Sequence, residues 1–231
     1  MLTLQTAPPR GTVYGTLLNH RDALAALGNA VHEPPYKAPP VAPVLYIKPR
    51  NTWLDAGEPI VVPTGVDELE IGATLGLVIG RTACRVREAE ALSFVAGYVI
   101  VNDVSVPHPS YYRPSLRFKT RDTFCPIGRF VRCEAVGSPD ALAISVAIDG
   151  SIVHRASTAG LIRPAARLLA EVSDFMTLSA GDVLCIGVAA GAPRARAGQR
   201  VSITIEGLGQ LENPLVSEVV LEGQTEEVVG R

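Results

Sequence analysis

The chain reads as a sheet-rich α+β protein on three observations: many short apolar runs bounded by Gly, Pro or Asp, an Asp-Gly pair between two alternating runs, and only two segments with helical spacing. In chain order, residues 21–31 form the first predicted helix. Strands are then expected over 44–47, 60–62, 73–79 and 98–101, the last within an apolar run that begins at Val95. Asp149-Gly150 separates LAISVAI from SIVH, and a two-residue turn of this composition supplies the two positive φ angles that a hairpin needs. A second helix is predicted over 164–176: Pro164 suits a first turn, and Ala165, Leu168, Leu169, Val172 and Phe175 recur on one face. Strands over 183–186 and 201–205 complete the pattern. The Pro-rich stretches 33–43 and 189–193 are expected as surface loops able to fold over a cleft. With no internal repeat and no break in composition, residues 1–216 are expected to form one domain, followed by an acidic tail over 217–231.

Composition narrows the function classes. The chain has 231 residues, 47% hydrophobic and 19% charged, with a formal net charge of −2 and no Lys/Arg block. Such a balance argues against nucleic acid or an anionic membrane surface as partner. No run approaches the roughly 18–20 apolar residues of a membrane span, and the start lacks the pattern of a signal peptide, so a cytoplasmic protein is expected. Cys84, Cys125, Cys133 and Cys185 are widely spaced, without a C-x-x-C pair, and are expected as reduced core thiols.

The richest chemistry lies in NDVSVPHPSYYRPSLRFKTRDTFCPIG, residues 102–128, where two Asp, one His, two Tyr, three Arg and one Lys stand between apolar strands. A polar segment of this length is costly to bury unless its charges meet partners or an anionic ligand. His108 stands in this loop and could carry a proton near neutral pH. His20, His32 and His154 are scattered and form no metal pair. Tyr111 and Tyr112 suit packing as well as chemistry. Lys119 and Arg121 have a structural alternative too, pairing with Asp122 or Asp103, and Asp103 could instead brace the loop after its strand.

The segments LYIKPRNTW, GATLGLVIGRTA, FVAGYVIVNDVS, YYRPSLRFKTRDTFCPIG, LSAGDVLCIG and LENPL together resemble the fumarylacetoacetate hydrolase family, over residues 12–216. Within it, LLNHRDALAAL, PPYKAPP, IKPRNT and YYRP…K-x-R-D are most similar to the branch that decarboxylates and isomerises intermediates of 4-hydroxyphenylacetate (homoprotocatechuate) breakdown, and to the N-terminal half of its fused members. The resemblance implies mixed sheets rolled into a barrel-like domain, and a Mg²⁺ or Mn²⁺ ion that chelates the oxo-acid end of a dicarboxylate. It implies Asp103 as a metal ligand and Lys119 as the cation beside the metal. Arg113, Arg117 and Tyr112 are then expected to bind the substrate, and Lys119 and His108 to move protons. A hard cation or an ammonium at the enolate oxygen stabilises the charge that decarboxylation or a double-bond shift builds there.

Departures from the family pattern are as informative as the matches. The family's Glu-x-Glu ligand pair falls on Gly72 and Thr74, its water-activating His and Glu on Ala23 and Ala26, and the Thr of its G-T-P turn on Val188. Glu68-Leu69-Glu70 repeats the Glu-x-Glu pattern four residues early, roughly 13 Å along a strand at about 3.3 Å per residue, and reads as a solvated strand start. A metal–oxygen bond spans only about 2–2.6 Å. The expected function is therefore a subunit acting on 5-oxopent-3-ene-1,2,5-tricarboxylate and 2-hydroxyhepta-2,4-diene-1,7-dioate, with a degenerate metal site and a homologous catalytic partner, or a homo-oligomer. A non-catalytic scaffold of the same fold and a self-sufficient acylpyruvate-type hydrolase are the alternatives.

Overall fold

The computed structural model of the chain describes residues 11–108 and 116–219. Its strands are β1 (Val13–Leu17), β2 (Val44–Lys48), β3 (Trp53–Asp55), β4 (Ile60–Val62), β5 (Leu69–Glu70), β6 (Ala73–Ile79), β7 (Val95–Asn102) and β8 (Cys125–Ile127). They continue with β9 (Val131–Arg132), β10 (Ala143–Ile148), β11 (Ser151–Ser157), β12 (Val183–Cys185), β13 (Arg194–Ala195), β14 (Arg200–Ile205) and β15 (Gly209–Ser217). Four α-helices punctuate them: α1 (Arg21–Ala25), α2 (Glu88–Ala91), α3 (Leu116–Lys119) and α4 (Ala165–Phe175).

The expected α+β, sheet-rich class is what the chain adopts. One mixed sheet runs β2-β1-β12-β6-β7-β8-β3, with β9 added on β7, and curls into half a barrel. A second sheet runs β11-β10-β14-β15-β4, and β13 pairs with β5 as a short ribbon. Parallel pairing occurs at β1/β12, β3/β8 and β15/β4, between otherwise antiparallel neighbours.

Every residue of β6 is buried, which explains an unbroken apolar run where a half-exposed strand would alternate. Leu75, Leu77 and Ile79 enter the main core, while Val78 joins Val13, Val99, Val101 and Val183 on the opposite face. α4 buries Ala165, Leu168, Leu169 and Val172 in the main core, as its spacing predicts, although Phe175 is exposed. Asp149 and Gly150 have φ of 50° and 80°, so the hairpin turn is the one the sequence implies.

The predicted helix over 21–31 is shorter than expected. It breaks into α1 and a 3₁₀ turn, Gly28–His32, because Gly28 sits at φ 52° and cannot continue α-helical bonding. The cysteines also divide: Cys125 and Cys185 are buried, Cys133 is half-buried, and Cys84 is exposed rather than in the core. At the C-terminal end β15 runs through Ser217, and the Glu218 carboxylate accepts from the Thr64 amide at 2.7 Å. No helix of the described residues is long and apolar enough to cross a membrane.

Candidate functional site

The site begins where β7 ends. Backbone bonding continues one residue past the strand, the Asp103 amide donating to the Gly72 carbonyl at 2.8 Å, and this fixes the Asp103 side chain inside the curled sheet. Opposite it, β2 has an inverted pattern: Tyr46 and Lys48 point inward while Ile47 is 47% exposed. Gly15, directly across from Tyr46 in the ladder, leaves the space that the Tyr46 ring occupies, since a Cβ there would strike the ring. The Tyr46 hydroxyl donates to Asp103 Oδ2.

Two ammonium groups meet this one carboxylate. Lys119, from the end of α3, lies 2.7 Å from Asp103 Oδ2, and Lys48 lies 2.8 Å from Oδ1. Lys48 donates to the carbonyls of Val104, Lys119 and Phe124 at 2.7, 2.8 and 2.9 Å. An ammonium has three protons, so these bonds exhaust it, and its contact with Oδ1 is Coulombic. Burial alone would raise the Asp103 pKa, but Lys119 and Lys48 outweigh it and hold the carboxyl well below its usual range. Burial lowers the Lys48 pKa against the pull of Asp103, and burial with the neighbouring Asp103 charge raises that of Tyr46. Cys125 lies beside the cluster, its thiol pushed up to about 12 chiefly by burial.

A cavity of about 350 Å³ opens on this cluster. Its charged lining groups are Asp103, Lys119, Glu70 and Arg194, with Tyr46 and Thr16 between them. Ala23, Ala26, Gly72 and Val188 also line it, so four positions at which the family pattern has other residues surround one space. The loop over 189–193, expected as a mobile cover, forms part of the wall. It is pinned by the Ala190 amide donating to Asp22 at 3.0 Å and the Ile71 amide donating to the Pro193 carbonyl at 2.9 Å.

The residues present do not suit a divalent cation. Such an ion needs several oxygen ligands, and among the described residues no three His, Cys, Asp or Glu side chains gather to hold a metal. Both Asp103 oxygens already face cations. A side chain on Gly72 would place its Cβ 2.5 Å from the Asp103 carbonyl oxygen, and Thr74 spends its hydroxyl on the Gly187 carbonyl at 2.8 Å.

Of the residues expected from sequence, Asp103 and Lys119 therefore meet, by an ion pair that was one of the open alternatives. His108 stacks on Phe118 with ring centroids 4.9 Å apart and lies 3.0 Å from the Val106 carbonyl through Nδ1; it is outside the cavity lining. Arg117 is exposed on α3, also outside that lining. Tyr112 and Arg113 lie outside the described residues. Glu68 pairs with Arg196, whereas Glu70 lines the cavity instead of standing at a solvated strand start. Tyr46, Lys48, Glu70 and Arg194 were not singled out by sequence as working residues. The inverted burial of β2 hides the first two from sequence reading.

Comparison with known proteins gives the family. Residues 12–216 match the family described as Fumarylacetoacetate (FAA) hydrolase C-terminal. The chain is 44% identical over 209 residues to a 4-hydroxyphenylacetate degradation bifunctional isomerase/decarboxylase of Escherichia coli, covering 90% of this chain and 48% of that protein. It thus spans about half the length of that relative. Among solved structures it is similar to 2-hydroxyhepta-2,4-diene-1,7-dioate isomerase from Mycobacterium marinum, with a TM-score of 0.75 and 28% identity over 92% of this chain and 77% of that one. It is similar also to fumarylpyruvate hydrolase from Pseudomonas aeruginosa, in complex with Mn²⁺ and pyruvate, with a TM-score of 0.81 and 25% identity over 94% and 93% of the two chains.

Proposed function

Because this chain belongs to the fumarylacetoacetate hydrolase family, we propose that it is one subunit of a decarboxylase/isomerase of 4-hydroxyphenylacetate breakdown, working with a homologous partner chain. Its substrates are 5-oxopent-3-ene-1,2,5-tricarboxylate and 2-hydroxyhepta-2,4-diene-1,7-dioate. The observation that carries the reading is the 44% identity across 90% of the chain to an isomerase/decarboxylase, supported by the cavity that holds Lys119 against Asp103.

Both reactions pass through the same kind of anion. In decarboxylation the electrons of the breaking C–C bond move through the conjugated double bond to the ketone oxygen as CO₂ leaves, and the resulting dienolate takes a proton on that oxygen to give the dienol. In the isomerisation an enol oxygen gives up its proton and a carbon farther along the conjugated chain gains one. An ammonium that is already oriented in a water-poor site stabilises such an oxygen at no cost of reorganisation. Lys119 is 5% exposed, is aimed by Asp103, and lines the cavity. Its ammonium is the group assigned to the developing oxyanion, and its proton is the one nearest to hand. Lys48 keeps Asp103 ionised by its charge, so that the carboxylate orients Lys119 and does not serve as an acid. None of these roles asks this chain's own residues to hold a metal ion.

The reading includes partner dependence, because Ala23, Ala26, Gly72 and Thr74 leave the chain without the carboxylates and the acid/base pair of the family pattern. A homologous chain that retains Glu-x-Glu would supply them in the assembly. The test is to express this chain alone, its homologue alone and both together, and to follow loss of the dienol chromophore and release of CO₂. Turnover is expected in the mixture alone; full turnover by this chain alone would defeat partner dependence. A second reading, a binding module without chemistry, is favoured by the same four positions, and unchanged turnover of the assembly carrying Lys119→Met would establish it.

A further inference from the structure

The buried Lys119 ammonium accounts for one end of a substrate with two acidic ends. We infer that Arg194, which lines the same cavity, holds the far carboxylate; this rests on the oxo-dicarboxylate substrates proposed above.

Three observations lead to Arg194. It lines the cavity together with Lys119 and Asp103, and its side chain is 57% exposed, so the guanidinium can reach an entering ligand. Its donors are also uncommitted among the described residues. The nearest acid is Glu68, whose Oε2 lies 3.8 Å away, beyond a hydrogen bond. Glu68 is meanwhile taken by Arg196, which donates twice to its Oε1 at 2.9 and 2.7 Å. Finally, the backbone under Arg194 is held firmly. β13 pairs with β5 with Arg194 directly across from Glu70, and the Glu70 amide donates to the Ser105 carbonyl at 2.8 Å. That ties the ribbon to the segment that carries Asp103, so the backbones under the two residues are fixed relative to each other.

The chemistry suits a carboxylate at this end. A guanidinium offers two parallel N–H donors matched to the two oxygens, where an ammonium offers only a point charge. Glu70 places a negative charge on the same rim and makes no side-chain bond among the described residues. An anion therefore gains there only by engaging the guanidinium at short range, which favours a well-placed carboxylate over diffuse attraction. At about 350 Å³ the cavity falls in the range of small-molecule sites, roughly 300–1,000 Å³, which suits a short dicarboxylate.

The test is calorimetric titration of the full chain, alone and with its partner, using two unreactive probes, 2-oxoheptanedioate and 2-oxoheptanoate, which differ only in the far carboxylate. The wild type is expected to bind the dicarboxylate about ten- to a hundredfold more tightly, as one charge-assisted pair allows. Arg194→Met should abolish that preference, Arg194→Lys should restore part of it, and Glu70→Gln should enlarge it. Lys119→Met should weaken both probes and leave their ratio unchanged. A wild-type preference that survives in Arg194→Met overturns the assignment while leaving the proposed function intact. Equal binding of both probes by the wild type overturns the assignment as well. If the wild type binds neither probe in either preparation, the assignment and the proposed function fall together.

Discussion

Lys48 shows how one residue can fix a site that it does not enter. Its ammonium joins three backbone carbonyls from three points along the chain and adds charge behind Asp103. Replacing it with Met would fill the same volume yet leave a buried carboxylate with one cation fewer and three carbonyls without their donor. Removing one partner of a buried ion pair costs about 3–5 kcal/mol. Lys48→Met is therefore expected to lose most of the chain's stability in urea titration, and Lys119→Met less, because Lys119 makes fewer such bonds. Sequence reading could see Lys119, which sits among other charges in a polar loop. It could not see Lys48, because a Lys before Pro at a strand end reads as solvated, and because the strand turns its apolar Ile47 outward. Period-2 alternation normally puts the apolar residue inside. Here the inside is the ionic site, and the rule runs backward.

At the scale of elements, β6 decides what the site can hold. Its register with β7 sets Ala73 across from Asn102 and Thr74 across from Val101, so residue 72 faces the backbone of Asp103 with no space for a side chain. The double substitution Gly72→Glu/Thr74→Glu, which restores the family's ligand spelling, is accordingly expected to destabilise the chain and to bind Mn²⁺ no more tightly than wild type. Calorimetric titration with Mn²⁺ checks this; tight stoichiometric binding by the variant would show that the strand can shift to admit the carboxylate. The elements that sequence located well are those set by local chemistry: the β10/β11 hairpin by Asp149-Gly150, α4 by its apolar face, β6 by its buried run. β1 was not anticipated, since VYGTL is short and Gly-interrupted, and the Gly that weakens its strand signal is the one that makes room for Tyr46. The ribbon of β5 and β13 escaped notice for a related reason. Two residues in each strand leave no periodicity to detect, and the pairing joins segments far apart in the chain.

The ionisation of Asp103 is a property of the whole molecule, since its three side-chain partners come from elements that meet only on folding. Its folded pKa lies well below the unfolded value of about 3.9, so it contributes stability that is fully present above that value and is lost as pH falls below it. The urea midpoint is expected to drop as pH is lowered from about 5 toward 3, and Asp103→Asn should remove part of that dependence while lowering the midpoint at pH 7. An identical pH profile in the variant would assign the acid sensitivity to other pairs such as Glu171 with Arg163 and Arg167. The family-level fold was legible in sequence because its strands and turns carry their own signals. The emptied positions were legible too, one by one. That they surround a single space was not, since Ala23, Ala26, Gly72 and Val188 converge only when β6, α1 and the segment after β12 come together.

The ties of Lys48 to Val104, Lys119 and Phe124, with the Val106 amide donating to the Phe118 carbonyl at 2.9 Å, close the excursion between β7 and β8 at its base. A single buried ammonium thus sets the spacing between the feet of this excursion, so the positions of Asp103 and Lys119 share one determinant. The excursion hangs from one knot, and a single substitution at Lys48 would let go of both its feet at once.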